Sequence, residues 1–295
     1  MSLLIILSAL AGEHLLAPYE HLRRGAWFEA WIEIHQALPA GRLGNGWSGL
    51  AGLLGLPLLC AAWLQGLFDA FLFGLPGLAF SAVVLLYSLG PRSLWRELER
   101  LLGAVERRDR LELGVIAADL RGGPLAPGED DLPMQALWTV FAATQERLFG
   151  PLVWFVLLGP VGALAYRLSS HLARHLRIRP RPGLEEAARR WLWLLDWLPS
   201  RSAAALYALS GHFQGALRAW KGCRPEPPND PQSGKAPALC AGVGALDDDR
   251  LRLVDRPQGP WPAETFKDAL ALIRRALALA LLLLAIADLA GLVGH

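Results

Sequence analysis

Four apolar runs, poor in charged residues, constrain the fold of this sequence more than any other feature. They cover Trp47–Phe68, Phe71–Leu89, Leu148–Leu168 and Ala269–Val293. A helix of about 20 residues, each adding ~1.5 Å, crosses the hydrocarbon core of a bilayer. Charged residues make up only 19% of the 295 residues, whereas soluble domains carry roughly a quarter. The sequence therefore predicts an all-α fold, a polytopic membrane helix bundle.

The third run differs from the others because two Gly-Pro pairs interrupt it. Gly150-Pro151 and Gly159-Pro160 disfavour one straight helix, since proline lacks the amide hydrogen that a helix uses. We expect two half-helices with a broken centre, or a re-entrant hairpin. The intervening segments 91–146 and 169–268 are predicted to hold amphipathic helices and loops. All of these belong to a single membrane domain, residues 1–295.

The arginine distribution predicts the orientation but leaves a conflict. Arginines follow the second run closely between residues 92 and 110, and such charges next to a span hold a short loop in the cytoplasm. Arginines also flank the loop 169–268, which predicts the same side for it. One simple span between two cytoplasmic loops is impossible. Three alternatives remain: a re-entrant run at 148–168, a further span within 203–217, or a long loop that escapes the charge rule.

The chain is expected to lie in a bacterial inner membrane, with the lipid bilayer as its partner. Met1–Leu16 is apolar but has no positively charged start, so we expect a short helix packed on the bundle rather than a cleaved signal peptide. The net charge of +2 gives no reason to expect a nucleic-acid partner.

Motifs for enzymes, cofactors and metals are mostly missing. The sequence has no GxSxG or HExxH, and Ser233-Gly234-Lys235-Ala236 lacks the first glycine and the Ser/Thr of a phosphate-binding loop. No cofactor or metal is therefore expected. His171 and His175 share a helical face with arginines, which favours a cationic interfacial face over a metal site. Cys60 is expected to be a buried small apolar residue.

Two polar groupings are better candidates for a site. Gln145-Glu146-Arg147 stands where the third apolar run begins, and Asp196 and Arg201 flank Pro199. Charges beside membrane spans are costly and tend to be paired or functional. The alternatives are a membrane anchor for the first grouping and an Asp–Arg clamp around a proline turn for the second. Pro199 is expected to divide the helical segment 184–220.

These groupings belong to a longer resemblance. Glu146–Pro151, Leu158–Arg167, Asp196–Arg201 and Tyr207–Phe213 resemble, in order and spacing, the heart of the AmpE family of inner-membrane proteins. That family is similar in turn to the larger CobD/CbiB superfamily. The superfamily shares the Gly-Pro-x-Gly-Ala-Leu-x-Tyr run, the Leu-Pro-x-Arg turn and the Gly-Val-Gly-Ala-Leu run at Gly242–Leu246.

The resemblance implies a role in β-lactamase induction or cell-wall stress signalling. A small ligand derived from the cell wall would bind in a polar cavity within the membrane, and no catalysis is required. The residues that the resemblance and the polar groupings single out for ligand binding are Glu146, Arg147, Tyr166, Asp196, Arg201 and His212.

An enzyme is the principal alternative. CobD/CbiB proteins attach the aminopropanol arm to adenosylcobyric acid, and this chain departs from their pattern. Their N-terminal Asp and His-Pro features are missing, and two further motifs differ. Their Glu-Asn pair is Glu146-Arg147 here, and their polar run after the tyrosine is Arg167–His171 here. A transporter or binding protein for a small amphiphilic molecule is a third alternative.

Overall fold

The computed structural model describes residues 5–9, 26–37, 46–69, 75–90, 94–123, 132–223, 233–246 and 263–290. Every regular element within these ranges is helical. Three helical stretches are long and apolar enough to cross a membrane: Trp47–Phe68, Leu132–Ile178 and Ala263–Leu289. A shorter apolar helix covers Pro76–Ser88. The predicted all-α membrane fold is confirmed.

The helices are numbered in chain order. They are α1 (Ala26–Ala37), α2 (Trp47–Asp69), α3 (Leu75–Ser88), α4 (Leu94–Arg107), α5 (Arg110–Arg121), α6 (Leu132–Thr144), α7 (Gly150–Ile178), α8 (Pro182–Ser210), α9 (Phe213–Gly222), α10 (Ala236–Gly244) and α11 (Ala263–Leu289). Of the expected N-terminal helix, residues 5–9 are helical with Ile6 and Ala9 buried; the remainder of Met1–Leu16 lies outside the described residues.

The first of two compact units contains α1, α2, α3, α7 and the first half of α8, up to Leu195. Its core is formed by apolar side chains of α1, α2, α7 and α8, including Phe28, Ile32, Leu53, Leu168, Leu172 and Ala188. We call it unit 1.

Unit 2 contains α4, α5, α6, the second half of α8, and α9 to α11. Helix α4 is amphipathic, burying one stripe at Leu94, Leu98, Leu101 and Val105, while its charged residues other than Glu97 cover the other face. The division between the two units falls within α8, which contributes to both. The expectation of a single membrane domain stays a prediction.

Two prolines lie inside helices that nevertheless continue through them. Pro57 in α2 and Pro199 in α8 lack an amide hydrogen for the carbonyls of Leu53 and Leu195, four residues earlier. The indole Nε1 of Trp31 donates to Leu53 O at 3.0 Å, and that of Trp154 donates to Leu195 O at 3.0 Å. The prediction that Pro199 divides the helix is wrong, because an indole distant in sequence satisfies the carbonyl that proline leaves free.

The third apolar run is broken, as predicted, but it does not stand alone. A π-helical segment, Gln145–Phe149, joins α6 to α7, so the helical stretch reaches from Leu132 to Ile178. The break is a kink at Gly159, whose φ of 67° and ψ of −158° are not helical. Of the two alternatives, the structure has the broken helix.

The polar, proline-rich composition of Gly222–Leu239 predicts a loop, and this prediction is only partly correct. Residues 224–232 lie outside the described ranges, but Ser233–Lys235 forms a 3₁₀ turn that leads directly into α10. Pro237 stands in the first turn of α10, where its missing amide hydrogen costs nothing. The helix therefore begins earlier than the polar composition predicts.

Candidate functional site

The candidate site lies in unit 2, at the π-helical segment Gln145–Phe149. Pro151 follows this segment and has no amide hydrogen for the carbonyl of Arg147, which interrupts the regular helical ladder there. A π-helical turn widens the helix by one residue and is frequent at functional sites. Here it carries a buried amide, a carboxylate and a guanidinium on three consecutive residues.

Two buried ion pairs extend from this segment. Lys235 Nζ lies 2.5 Å from Glu146 Oε2, with the two side chains 7% and 14% exposed. Arg147 Nη1 lies 2.5 Å from Glu97 Oε2, with 7% and 10% exposed. Removing one partner of such a pair leaves an uncompensated buried charge. Each pair is neutral in itself, so the site holds four charges without a net charge.

Buried polar atoms without a partner lie on the same elements. The side chain of Gln145 is fully buried, and neither its amide nitrogen nor its oxygen has a hydrogen-bond partner among the described residues. Ser233, two residues before Lys235, has the same deficit at Oγ. Buried polar groups in native proteins are almost always bonded. These two side chains are therefore suited to receive a ligand.

Tyr207 forms an aromatic cluster in the same unit. Its ring is met edge-on by Phe141 and Phe149, at centroid distances of 5.3 and 5.6 Å, and its hydroxyl has no hydrogen-bond partner among the described residues. Burial raises the pKa of the Tyr207 phenol above its usual range. The phenol therefore stays protonated at neutral pH and is available as a donor, not as a base.

Small residues hold α10 close to its neighbours. A Cβ at Gly244 would clash with Gly215 of α9, and one at Gly242 would clash with the ring of Phe141. A disulfide between Cys223 and Cys240, with Cα atoms 6.1 Å apart, also ties α9 to α10. This packing explains the Gly-Val-Gly-Ala-Leu run and fixes the helix that begins next to Lys235.

Outside the π-helical segment, two of the predicted site residues are buried. Tyr166, in unit 1, is fully buried, and its ring leaves no room for a Cβ at Gly150. Asp196, in unit 2, is only 1% exposed. A ligand-binding role for them stays a prediction.

The other predicted residues, outside the π-helical segment, have local partners. Arg201 Nη1 donates to Trp197 O at 3.0 Å, and the guanidinium lies 4.2 Å from the centroid of the Trp197 ring. His212 is exposed and caps α9, its Nδ1 accepting from Gly215 N at 3.1 Å. Ligand binding by Arg201 and His212 also stays a prediction.

Sequence reasoning placed Gln145 in a candidate polar grouping but missed Glu97, Lys235 and Ser233 as members of the same site. Glu97 had a usable signal: it lies on the apolar stripe of α4, between Leu94 and Leu98, where a charge requires a buried partner. Lys235 had a weaker one, as one of three lysines in the chain. Its pairing with Glu146, 89 residues away, is a tertiary fact that no local pattern contains.

The expectation for Cys60 is wrong. Its side chain is exposed on α2, because this face of the helix borders an open cavity instead of a packed neighbour.

The arrangement favours binding of a ligand that carries both charges. A ligand ammonium can replace Lys235 at Glu146, and a ligand carboxylate or phosphate can replace Glu146 at Lys235, so that every buried charge stays paired. Hydrogen bonds at Gln145 and Ser233 would add specificity. No group of three or more potential metal ligands occurs within the described ranges.

Comparisons with known proteins agree on one family. The family model described as "CobD/Cbib protein" matches residues 5–247. The chain is 34% identical over 218 residues to "Cobalamin biosynthesis protein CobD" of Stutzerimonas stutzeri, covering 70% of this chain and 68% of that protein. It is 28% identical over 254 residues to the protein of the same description from Chromobacterium violaceum, covering 82% and 77%.

A relative with a different name matches as well. "Protein AmpE" of Shigella flexneri is 28% identical over 234 residues, covering 75% of this chain and 78% of that protein. No solved structure matches this chain. The family match covers the whole candidate site, from Glu97 through the π-helical segment to Lys235. The predicted resemblance to the larger superfamily is confirmed, and the chain belongs to the CobD/CbiB family.

Proposed function

We propose that this chain is a membrane enzyme of cobalamin biosynthesis that joins an amine to a carboxyl group as an amide. The observation that carries the proposal is the family match over residues 5–247, together with relatives described as cobalamin biosynthesis proteins. This reverses the order of the two functions that the sequence motifs favoured.

The chemistry of the site supports an amide ligation. Its two reactants are an ammonium and a carboxylate, the same pair of charges that Lys235 and Glu146 form in the protein. Glu146 would bind the ammonium and accept the proton that the amine loses. Lys235 would bind the carboxyl oxygens after activation by a phosphoryl donor. The amine nitrogen then attacks the acyl carbon, the carbon–oxygen bond to phosphate breaks, and phosphate leaves with the second proton that the nitrogen loses.

A second candidate is an AmpE-like role in the response to β-lactams. It is favoured by the departures from the synthase pattern at Arg147 and at Arg167–His171. Arg147 also has its charge neutralised by Glu97 within the protein. A site that lacks partners for one substrate's polar groups rejects that substrate strongly.

Complementation distinguishes the two functions. The chain is expressed in a bacterial strain that lacks its corrinoid synthase and grows on supplied cobyric acid only if cobalamin is made. We expect growth from the unaltered chain and none from Lys235→Met or Glu146→Gln. Arg107→Ala, which removes an exposed ion pair with Glu112, is the matched control and should still grow.

Failure to restore growth would contradict the proposed enzymatic function. No growth from the unaltered chain, with its presence in the membrane verified by immunoblot, rejects the cobalamin reaction. Deletion of the gene in its own host then tests the second candidate, which predicts an altered response to β-lactams with intact cobalamin synthesis.

A further inference from the structure

A cavity of about 490 Å³ lies in unit 1. Its walls come from α1, α2 and α3, and α7 contributes Leu164. The lining includes Trp31, Ile34, Pro57, Cys60, Phe80 and Val84. Its volume falls within the ~300–1,000 Å³ of ordinary small-molecule sites.

The lining determines the class of molecule that fits. No charged, amide or hydroxyl side chain is among the described residues that border the cavity. A polar ligand would lose its hydrogen bonds to water without replacement, which costs several kcal/mol per group. The cavity therefore selects a hydrocarbon.

The walls are fixed by specific bonds. Helix α1 is fastened to α2 by the hydrogen bond from Trp31 to Leu53 O. On its other side, Glu29 lies 3.6 Å from His171 of α7, and Glu33 lies 3.4 Å from Arg179, the residue that follows α7. Because both sides of α1 are held, the space between α1 and α3 persists as part of the fold.

The position of the cavity along α2 indicates which hydrocarbon would occupy it. Pro57 and Cys60 lie near the middle of α2, one of the helices long and apolar enough to cross a membrane. At the middle of a bilayer the surrounding solvent consists of lipid acyl chains. We propose that the cavity is a binding site for one acyl chain of a membrane lipid, held between α1 and α3 against Cys60. This site is independent of the proposed amide chemistry.

The test uses a lipid that can be crosslinked by light. The purified chain is placed in vesicles of phosphatidylethanolamine and phosphatidylglycerol with a trace of phospholipid carrying a diazirine in mid-chain. After irradiation, labelled peptides are mapped by mass spectrometry. We expect labelling concentrated at Ile34, Cys60 and Val84. Cys60→Trp, which fills the cavity, should lower labelling at Ile34 and Val84 about tenfold, equivalent to ~1.4 kcal/mol of binding.

A matched control separates a bound lipid from the bulk bilayer. Leu59, beside Cys60, is 69% exposed and does not border the cavity, so Leu59→Trp should leave the labelling unchanged. Val84→Trp blocks the cavity from α3 and should repeat the effect of Cys60→Trp if that variant folds poorly. Equal labelling of cavity residues and of exposed Leu59 or Leu282, unaffected by the blocking variants, would overturn the proposal.

Discussion

At the scale of single residues, the Glu146–Lys235 pair makes the sharpest energetic prediction. Lys235→Met removes the cation that is bound to the Glu146 carboxylate, which costs up to about 3–5 kcal/mol when such a pair is buried. The double variant Glu146→Gln, Lys235→Met removes both charges and should recover most of that loss. Thermal unfolding in detergent measures both. A single variant as stable as the unaltered chain would show that Glu146 is not buried against Lys235.

For Gln145 we expect a substitution to raise stability and to lower function. Its amide is buried without a hydrogen-bond partner among the described residues, so Gln145→Leu should raise the free energy of unfolding by about 1–3 kcal/mol. The same variant should lose activity in the complementation assay, since the amide is placed to bind the ligand. Loss of stability instead would show that the amide is already bonded within the fold.

The sequence located part of this site and missed the remainder for a physical reason. Glu146 and Arg147 stood out because charges next to an apolar run are costly wherever the chain folds. Their partners Glu97 and Lys235 lie 50 and 89 residues away, and such pairings depend on helix packing. Arg201 and His212 stood out by their motifs, but their nearest partners are local.

At the scale of helices, a tryptophan compensates for each of two internal prolines. The compensation can be measured with a double-mutant cycle on Trp31 and Pro57. Trp31→Phe should destabilise the protein by about 1–3 kcal/mol, because the Leu53 carbonyl is left unbonded. In a Pro57→Ala background the restored amide satisfies that carbonyl, so the same change should cost much less.

Additive effects of the two substitutions would contradict this pairing. The cycle uses chemical unfolding in detergent, and Phe keeps most of the apolar contact of Trp31. The hydrogen bond from a tryptophan to the carbonyl that proline leaves free also explains why helix continuity was predicted incorrectly at Pro199. Local sequence contains the proline that weakens the helix, whereas the compensating Trp154 is 41 residues from the Leu195 carbonyl.

At the scale of the whole molecule, the membrane bundle was predictable because apolar length and composition are properties of the sequence itself. The side of the membrane on which unit 2 lies was not predictable, because two features of unit 2 favour opposite sides. The arginines of α4 favour the cytoplasm, whereas the Cys223–Cys240 disulfide favours an oxidising compartment. Long loops frequently cross regardless of charge, so we expect the disulfide side to be periplasmic.

The thiol state in intact cells checks this sidedness. Cys223 and Cys240 should react with a maleimide of high mass only after reduction, and an impermeant maleimide should reach them in spheroplasts without detergent. Cys60→Ser removes the third thiol so that only this pair is scored. Reaction without prior reduction would place the pair in the cytoplasm as free thiols.

The most direct measurement of function is amide formation by the purified chain in vesicles. Cobyric acid, the aminopropanol amine and a nucleoside triphosphate are supplied, and the product is identified by its mass. We expect the amide from the unaltered chain, a loss of at least about 100-fold in Lys235→Met, which lacks the cation placed at the reacting carboxyl, and full activity in Arg107→Ala. A folded, membrane-inserted chain that forms no amide would contradict the assignment to cobalamin biosynthesis.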